Sequence, residues 1–449
     1  MKYLAKTPLC LFLFLLLITT PLWAMAKRPP AAAAEKNEKP FTLSLALSDC
    51  YQLALRRSEE LAIRKEEVGR TLASFLEASG EAIGDADFVM TSFRQDPQKG
   101  GSSSDGSTSS SLAFERRQQK FTISQPLFQG FKALGALSGA GSLKKQRQQE
   151  WKRAKQLLFL DVVSSFYDYL RLSKDMEIIN GILALFQDML KELKEWENIG
   201  RSRPSETATA RSRFESFNAE LARSRGDLAT AGNFLAFLIG VALEGNELRD
   251  KKTPLSPEGR VNILHLAEQR PDVEASRQAV TTARGAVLVA QSDLWPKLTL
   301  DGNLYEKRDG FQSGISWDTL LTFTVPLGKG GTTLGQIRDS YSQWKEAKLS
   351  HSLTERTAVR EIKDAYDGWQ SSAERYQALE KAVQAAQENF TLQSDEYKRR
   401  LVSNLDVLVA LQSLFETKRD ANQAFFDAKK DYWKLEVAQG HCCSNEEMS

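Results

Sequence analysis

The chain has 449 residues, 60 Lys and Arg against 58 Asp and Glu, a net charge of +2 and 41% hydrophobic residues, with a mean hydropathy of −0.40. This length and apolar content suit two or three ordinary domains and exclude a disordered or collagen-like chain. The balanced charge argues against nucleic-acid binding, which needs a basic excess on one face. With 3 His and 4 Cys the stock for metal or nucleophile chemistry is poor, so no catalytic, cofactor or metal site is expected.

In chain order, residues 1–26 combine a positive start (Lys2, Lys6), an apolar core from Leu9 to Ile18 and the small-residue end Ala24-Met25-Ala26. That is the pattern of a signal peptide, whereas a membrane anchor would need about 20 apolar residues. Cys10 stands ahead of the body of the core instead of following it, so it is not the lipid-bearing cysteine of a lipoprotein. The mature protein is expected to start near Lys27, outside the inner membrane, with residues 27–41 as a tail. No later run of about 18 uncharged apolar residues suggests a helical transporter. Of the remaining cysteines, Cys50 shares an apolar helical series with Leu47, Ala54 and Leu61 and is expected to pack in a core. Cys442 and Cys443, beside His441, lie on a tail (441–449) that rarely supplies a closed ligand shell.

The chain repeats itself. An offset of 200 places Thr122 on Thr322, Pro126 on Pro326, Gly130 on Gly330, Gly135 on Gly335, Ala210 on Ala410 and Gly240 on Gly440. Upstream of the prolines the offset is 212, bringing Glu60-Leu61 onto Asp272-Val273. The 12 extra residues of the first copy are assigned to the flexible stretch KGGSSSDGSTSSS at 99–111.

Two repeats follow, 42–240 and 261–440, joined by a linker at 241–260. Each has an opening helix, a β-hairpin (about 86–127 and 297–327), a long helix (about 131–197 and 333–398) and a returning helix (about 205–240 and 404–440). In the second hairpin Leu298, Leu300 and Leu304 alternate with Thr299, Asp301 and Asn303, and Trp317, Leu321 and Phe323 alternate with Asp318, Thr322 and Thr324. The segment from Asp87 to Arg94 alternates only weakly. No proline interrupts the long helices, each on the order of 95 Å. Ile179, Ile182, Phe186, Met189, Leu193 and Trp196 form a packed seam on the first, and Leu401, Leu405, Leu408, Leu411 and Phe415 line the returning helix of the second copy.

Four strands near the 9–11 residues that span an outer membrane cannot close a barrel, which starts at about eight strands. Open edges in lipid leave backbone groups unpaired, so the chain is expected to share a barrel with its own copies: two would give a side-chain-filled barrel and three a lumen. A solvated coiled coil with incidental strands is the bland alternative.

Several short segments then point to one family: Ala46-Leu47 through Ala54-Leu55, Glu60-Leu61, Gln125-Pro126-Leu127-Phe128, Arg270-Pro271-Asp272-Val273, Trp295-Pro296-Lys297-Leu298 and Val325-Pro326-Leu327. Together with the duplication, these make the chain resemble the TolC-type outer-membrane efflux proteins over nearly all its mature length. The resemblance implies an α+β membrane protein: a homotrimer with a twelve-stranded outer-membrane β-barrel, four strands per chain, continued by a long α-helical barrel in the periplasm. It also implies the role of exit duct in a tripartite efflux or type I secretion system, with a periplasmic adaptor and an inner-membrane transporter as partners. In that family the periplasmic end closes at the two helix breaks. Tyr397 matches the family's tyrosine there and Asp406 the aspartate that opens the returning helix, with Glu206 as counterpart in the first copy. Val402 and Val409 stand where the family pattern carries an arginine and a second aspartate. Glu206 and Asp406 also read as helix N-terminal charges. The rival function is a periplasmic coiled-coil adaptor of the same machine, which would lack both hairpins and the duplication.

Overall fold

The computed structural model describes residues 44–94, 115–243, 247–250, 263–309 and 314–441. The export signal, the tail at 27–41, the Gly/Ser stretch at 99–111, and Cys442 and Cys443 lie outside the described residues. From Ser44 onward the chain forms one compact unit.

A short strand β1 (Ser44–Ala46) leads into helices α1 (Leu47–Arg57) and α2 (Glu59–Ile83). The expected single opening helix is broken at Ser58, whose extended backbone ends α1 and whose Oγ accepts the Leu61 N–H to cap α2. The hairpin strands β2 (Asp85–Arg94) and β3 (Glu115–Gln129) follow, then the 67-residue α3 (Lys132–Asn198) and α4 (Pro204–Ile239). After β4 (Glu247–Arg249) come α5 (Ile263–Gln269), α6 (Pro271–Gln291), β5 (Lys297–Arg308), β6 (Trp317–Thr324), the 67-residue α7 (Thr332–Lys398) and α8 (Asn404–Ala438). Arg270, with the same extended backbone as Ser58, divides α5 from α6 at the position 212 residues on. At 1.5 Å per residue, α3 and α7 are each about 100 Å long.

β1 pairs with β4 in parallel, so a strand stands inside the stretch expected to be a linker. Three-residue strands carry no readable period, and their pairing is decided by distant chain. The main sheet is antiparallel, in the order β2-β3-β5-β6. The weakly alternating 87–94 segment is a full ten-residue strand, because pairing to β3 along its whole length supplies the order its own pattern lacks. α2, α3, α6 and α7 continue from the strands and pack side by side in the same order.

Three clusters hold the helices together. One joins α1, the middle of α3 and the C-terminal ends of α4 and α8 around Phe159, Phe166, Leu235 and Val437. Cys50, Leu47 and Ala54 are buried in it, and burial, followed by the charge of Asp49, pushes the Cys50 thiol up to about 12. A second cluster unites α3, α4 and α8 through Ile179, Phe186, Leu193, Phe217, Leu411 and Phe415. The third packs α5 and α6 on α7 through Val273, Ile362 and Trp369. One expectation fails: Leu408, Leu411 and Phe415 are buried, but Leu401 and Leu405 are 70% and 59% exposed. Leu401 lies in the turn ahead of α8, and Leu405 shares with exposed Val409 the side of α8 that faces away from the packed residues Asn404, Val407 and Leu408, so in a single chain nothing covers them.

Candidate functional site

The main sheet separates its side chains by chemistry. On one face Phe88, Phe121, Leu304 and Trp317 line up across four strands, with Ile123, Leu300, Leu321 and Phe323 in the neighbouring rows. This apolar face is exposed, with Trp317 and Phe323 65% and 66% accessible, an area that marks a lipid or partner contact. The opposite face carries a cross-linked set of polar side chains, alongside Val89, Phe93 and Leu320. Lys120 Nζ and Thr122 Oγ1 donate to Asn303 Oδ1 at 2.8 and 3.0 Å, Ser124 Oγ donates to Asp301 Oδ1 at 2.6 Å, and Asn303 Nδ2 donates to Asp318 Oδ1 at 2.7 Å. Tyr305 OH and Arg308 Nη1 also donate to Asp318 Oδ2, at 2.8 and 3.5 Å. The ladder ties β3, β5 and β6 into a stiff wall. No described helix is long and apolar enough to cross a membrane.

Beneath the sheet, α2, α3, α6 and α7 enclose two open troughs. The upper, of about 740 Å³, is walled by small side chains such as Ala78, Ala136, Ala286 and Ser340. At its base the helices approach so closely that a Cβ on Gly285 would meet Gly135 O at 2.7 Å and Gly139 Cα at 2.9 Å. The lower, of about 730 Å³, adds charge from Glu60, Arg64, Glu150 and Arg153.

At the far end of the long helices, the two helix breaks fold alike. After α3, Gly200 N donates to Glu197 O at 2.9 Å and Arg201 N to Trp196 O at 2.7 Å; after α7, Arg400 N donates to Tyr397 O and Leu401 N to Glu396 O, both at 2.9 Å. Gly200 and Arg400 take left-handed conformations, with φ of 70° and 65°. Pro204 then opens α4, and Ser403 caps α8.

The three expected constriction residues all lie at the two helix breaks, in different surroundings. Tyr397, half-buried, packs against Trp196 with ring centroids 5.4 Å apart. Burial, then the charges of Glu206 and Glu192, raise its hydroxyl pKa. Glu206 accepts from Ser202 Oγ at 2.9 Å. Asp406 stands apart. It accepts from Ser403 Oγ at 2.6 Å and Ser403 N at 2.8 Å in a capping box, and these bonds hold its carboxyl below the usual carboxylate range. Trp196 was assigned only to the packed seam, and Asn404, buried with Oδ1 unpartnered among the described residues, carried no signal in the sequence. A second buried site was also missed: Arg270, 1% exposed, donates to Asp272 through Nε and Nη2 at 3.0 and 2.6 Å and to Glu361 at 2.7 Å. Its position before a proline in the opening segment of the second repeat gave no hint that α7 and the end of α8 close over it.

Residues 263–441 match the outer membrane efflux protein family. Nodulation protein T of Rhizobium leguminosarum bv. viciae is 24% identical over 294 residues, 64% of this chain and 61% of that protein, so the match spans about three fifths of that relative's length. Alkaline protease secretion protein AprF of Pseudomonas aeruginosa is 22% identical over 417 residues, 88% of this chain and 85% of its own. In fold, the chain superposes on the outer membrane protein VceC from Vibrio cholerae with a TM-score of 0.76 at 20% identity, covering 88% of this chain and 96% of that one. With its hairpins rooted on two long helices and its second half matching the outer membrane efflux protein family, the chain is similar in sequence and fold to the TolC-type outer membrane efflux proteins.

Proposed function

We propose that this protein is the outer-membrane exit duct of a tripartite efflux or type I secretion system, receiving its cargo from an inner-membrane transporter and a periplasmic adaptor. One observation carries the reading: a four-stranded sheet with an exposed apolar face, a hydrogen-bonded polar face and two edges that each pair on one side only. Such a sheet is stable in lipid only as part of a closed barrel, with the apolar face outward and the polar ladder lining a lumen. Three chains supply twelve strands, the smallest number of copies that leaves a water-filled bore instead of a side-chain-filled one. The elements that recur 200 residues apart fit an internal duplication, each half contributing one hairpin and one pair of long helices. The same three-fold axis gathers Glu206, Tyr397 and Asp406 of each chain at the periplasmic end, where they would form the constriction. The cargo is whatever the transporter delivers.

Detergent-extracted protein from the outer-membrane fraction is expected to have about three times the monomer mass and to form ion-conducting pores in planar bilayers. A stable monomer in detergent, or recovery in the soluble periplasm, would overturn the duct.

A further inference from the structure

The two carboxylates that hold Arg270 have counterparts in the first half of the chain. An offset of 212 brings Ser58 onto Arg270 and Glu60 onto Asp272, and an offset of 200 brings Asp161 onto Glu361. Glu60 and Asp161 both line the lower trough. Burial, then the charge of Glu60, raises the Asp161 pKa, so the two carboxylates are close enough to repel. Neither has a hydrogen-bond or ion-pair partner among the described residues.

The second pair is served by two cations. Arg270 donates to both Asp272 and Glu361, and Arg153 lies 3.7 and 3.9 Å from them. In the first pair the corresponding residues are Ser58 and Leu353. An arginine does stand nearby, since Arg57 lies against Gly240 as Arg270 lies against Gly440. It comes one residue too early, and its exposed guanidinium turns to Glu59 at 3.6 Å. Arg64, on the wall of the same trough, is 3.6 Å from Glu67. Closing three copies into a ring, as the exit-duct reading requires, sets α7 of one copy beside α2 of the next in the way α3 stands beside α6. That neighbour presents Leu353 where Arg153 would be. Ordinary solvation accounts for a single exposed carboxylate. Two held side by side without an internal cation make a receptor for one from outside the chain.

We infer that Glu60 and Asp161 form a binding site for a guanidinium-bearing small molecule, seated as the Arg270 side chain is seated by Asp272 and Glu361. The second pair displays the recognition chemistry: a planar guanidinium gives Nε and Nη2 to one carboxylate at 3.0 and 2.6 Å and shares Nη2 with the other at 2.7 Å. Arg270 is closed in by its neighbours, whereas Glu60 and Asp161 are exposed to an open trough of about 730 Å³ that leaves room for a ligand. Leu157, on the same wall and 47% exposed, offers an apolar surface for the ligand's carbon atoms. Two carboxylates are too few to close around a bare divalent ion, which takes six or more oxygen ligands, and no larger group of metal-ligating side chains occurs among the described residues.

The test uses the detergent-solubilised mature protein, with methylguanidinium as probe and methylurea and Mg²⁺ as controls, read by ligand-observed NMR titration. Methylguanidinium is expected to bind with a Kd on the order of 1 mM and methylurea not to bind. Binding should weaken at least about tenfold in Glu60→Gln/Asp161→Asn. That variant removes a like-charge pair and is expected to melt no lower than the parent, which separates lost binding from lost folding. Ser58→Arg, which the extended backbone shared with Arg270 accommodates, should supply the missing guanidinium internally and abolish binding. Ser58→Ala loses the same helix cap and should bind as the parent does. Equal binding of methylurea, undiminished binding in the double variant or in Ser58→Arg, or displacement of the probe by equimolar Mg²⁺ would each overturn the inference. Binding that emerges only in Arg356→Gln would do the same, by showing that the neighbouring copy already fills the pair. The mass of the detergent complex is measured on the same sample, so a trimer that ignores methylguanidinium refutes this site alone.

Discussion

Replacing Arg270 with alanine is expected to be among the most damaging single changes in the chain away from the sheet. The guanidinium makes three charge-assisted contacts, two to Asp272 and one to Glu361, and a longer one to Ala438 O at 3.4 Å. It thereby pins the start of α6 to the middle of α7 and the end of α8. Alongside it Arg153 lies 3.7 Å from Asp272 and 3.9 Å from Glu361, and Gln156 donates to Gly440 O at 3.1 Å. Breaking one side of a buried ion pair costs about 3–5 kcal/mol, mostly because the other charge is stranded. Asp272 is 28% and Glu361 41% exposed, so water and Arg153 absorb part of that loss. About 2–3 kcal/mol is therefore expected. The stranded charge also dictates that Arg270→Met/Asp272→Asn, with both charges gone and the volume kept, should cost less than Arg270→Ala. Burial alone would raise the Asp272 pKa, but the hydrogen bonds and charge of Arg270, with Arg153, hold it below 3.8. Its contribution is therefore complete above about pH 4 and disappears as the pH falls through the lowered folded value. Thermal melts in detergent at a fixed scan rate, from pH 7 down to pH 3, would follow both effects. A double variant melting below Arg270→Ala, or a parent whose advantage over the double variant survives unchanged at pH 3, would refute the reasoning.

In planar-bilayer recordings, Asp406→Ala should reduce cation preference and block by multivalent cations, and Glu206→Ala should reduce both further; identical conductance, selectivity and block would make both residues helix caps only. Because its Ser403 hydrogen bonds hold Asp406 below the usual range, that selectivity should persist at pH 5. Gly285→Val must push α6 from α3 at Gly135 and should cost about 1–3 kcal/mol, read as a lower melting midpoint. Leu321→Arg, on the apolar face, should cost about 2–4 kcal/mol and sharply reduce assembled protein, whereas Thr322→Arg on the polar face should leave the yield near that of the parent. Deleting residues 100–110 should leave trimer yield unchanged, as expected of an outward loop, and lost assembly on gels would place that stretch within the wall.

Much of this fold was legible because its signals are local. The uninterrupted period from Gly135 to Trp196, Pro204 at the first turn of α4 and the alternation from Leu298 to Leu304 each depend on neighbours a few residues away. The repeat offsets of 200 and 212 align Gly200 with Arg400 and Ser58 with Arg270, so even the breaks recur in register. Tertiary structure decided what sequence neighbours cannot. β1 meets β4 across about two hundred residues, and β2 is a strand because β3 lies beside it. Arg270 reads as a polar residue in an ordinary Arg-Pro-Asp turn, yet α7 and the end of α8 close over it. Leu401 and Leu405 continue the spacing of Leu408 and Leu411, yet face solvent because the packed side of α8 is that of Asn404, Val407 and Leu408 while Leu405 stands with exposed Val409 on the other. Glu206 and Asp406 occupy equivalent positions, yet Asp406 is held in a capping box by Ser403 while the charge of Glu206 is among those that raise the Tyr397 pKa. Periodicity states which residues of one helix share a face; which neighbour covers that face, and how far along the helix, is set by packing energy between segments that the linear order keeps apart.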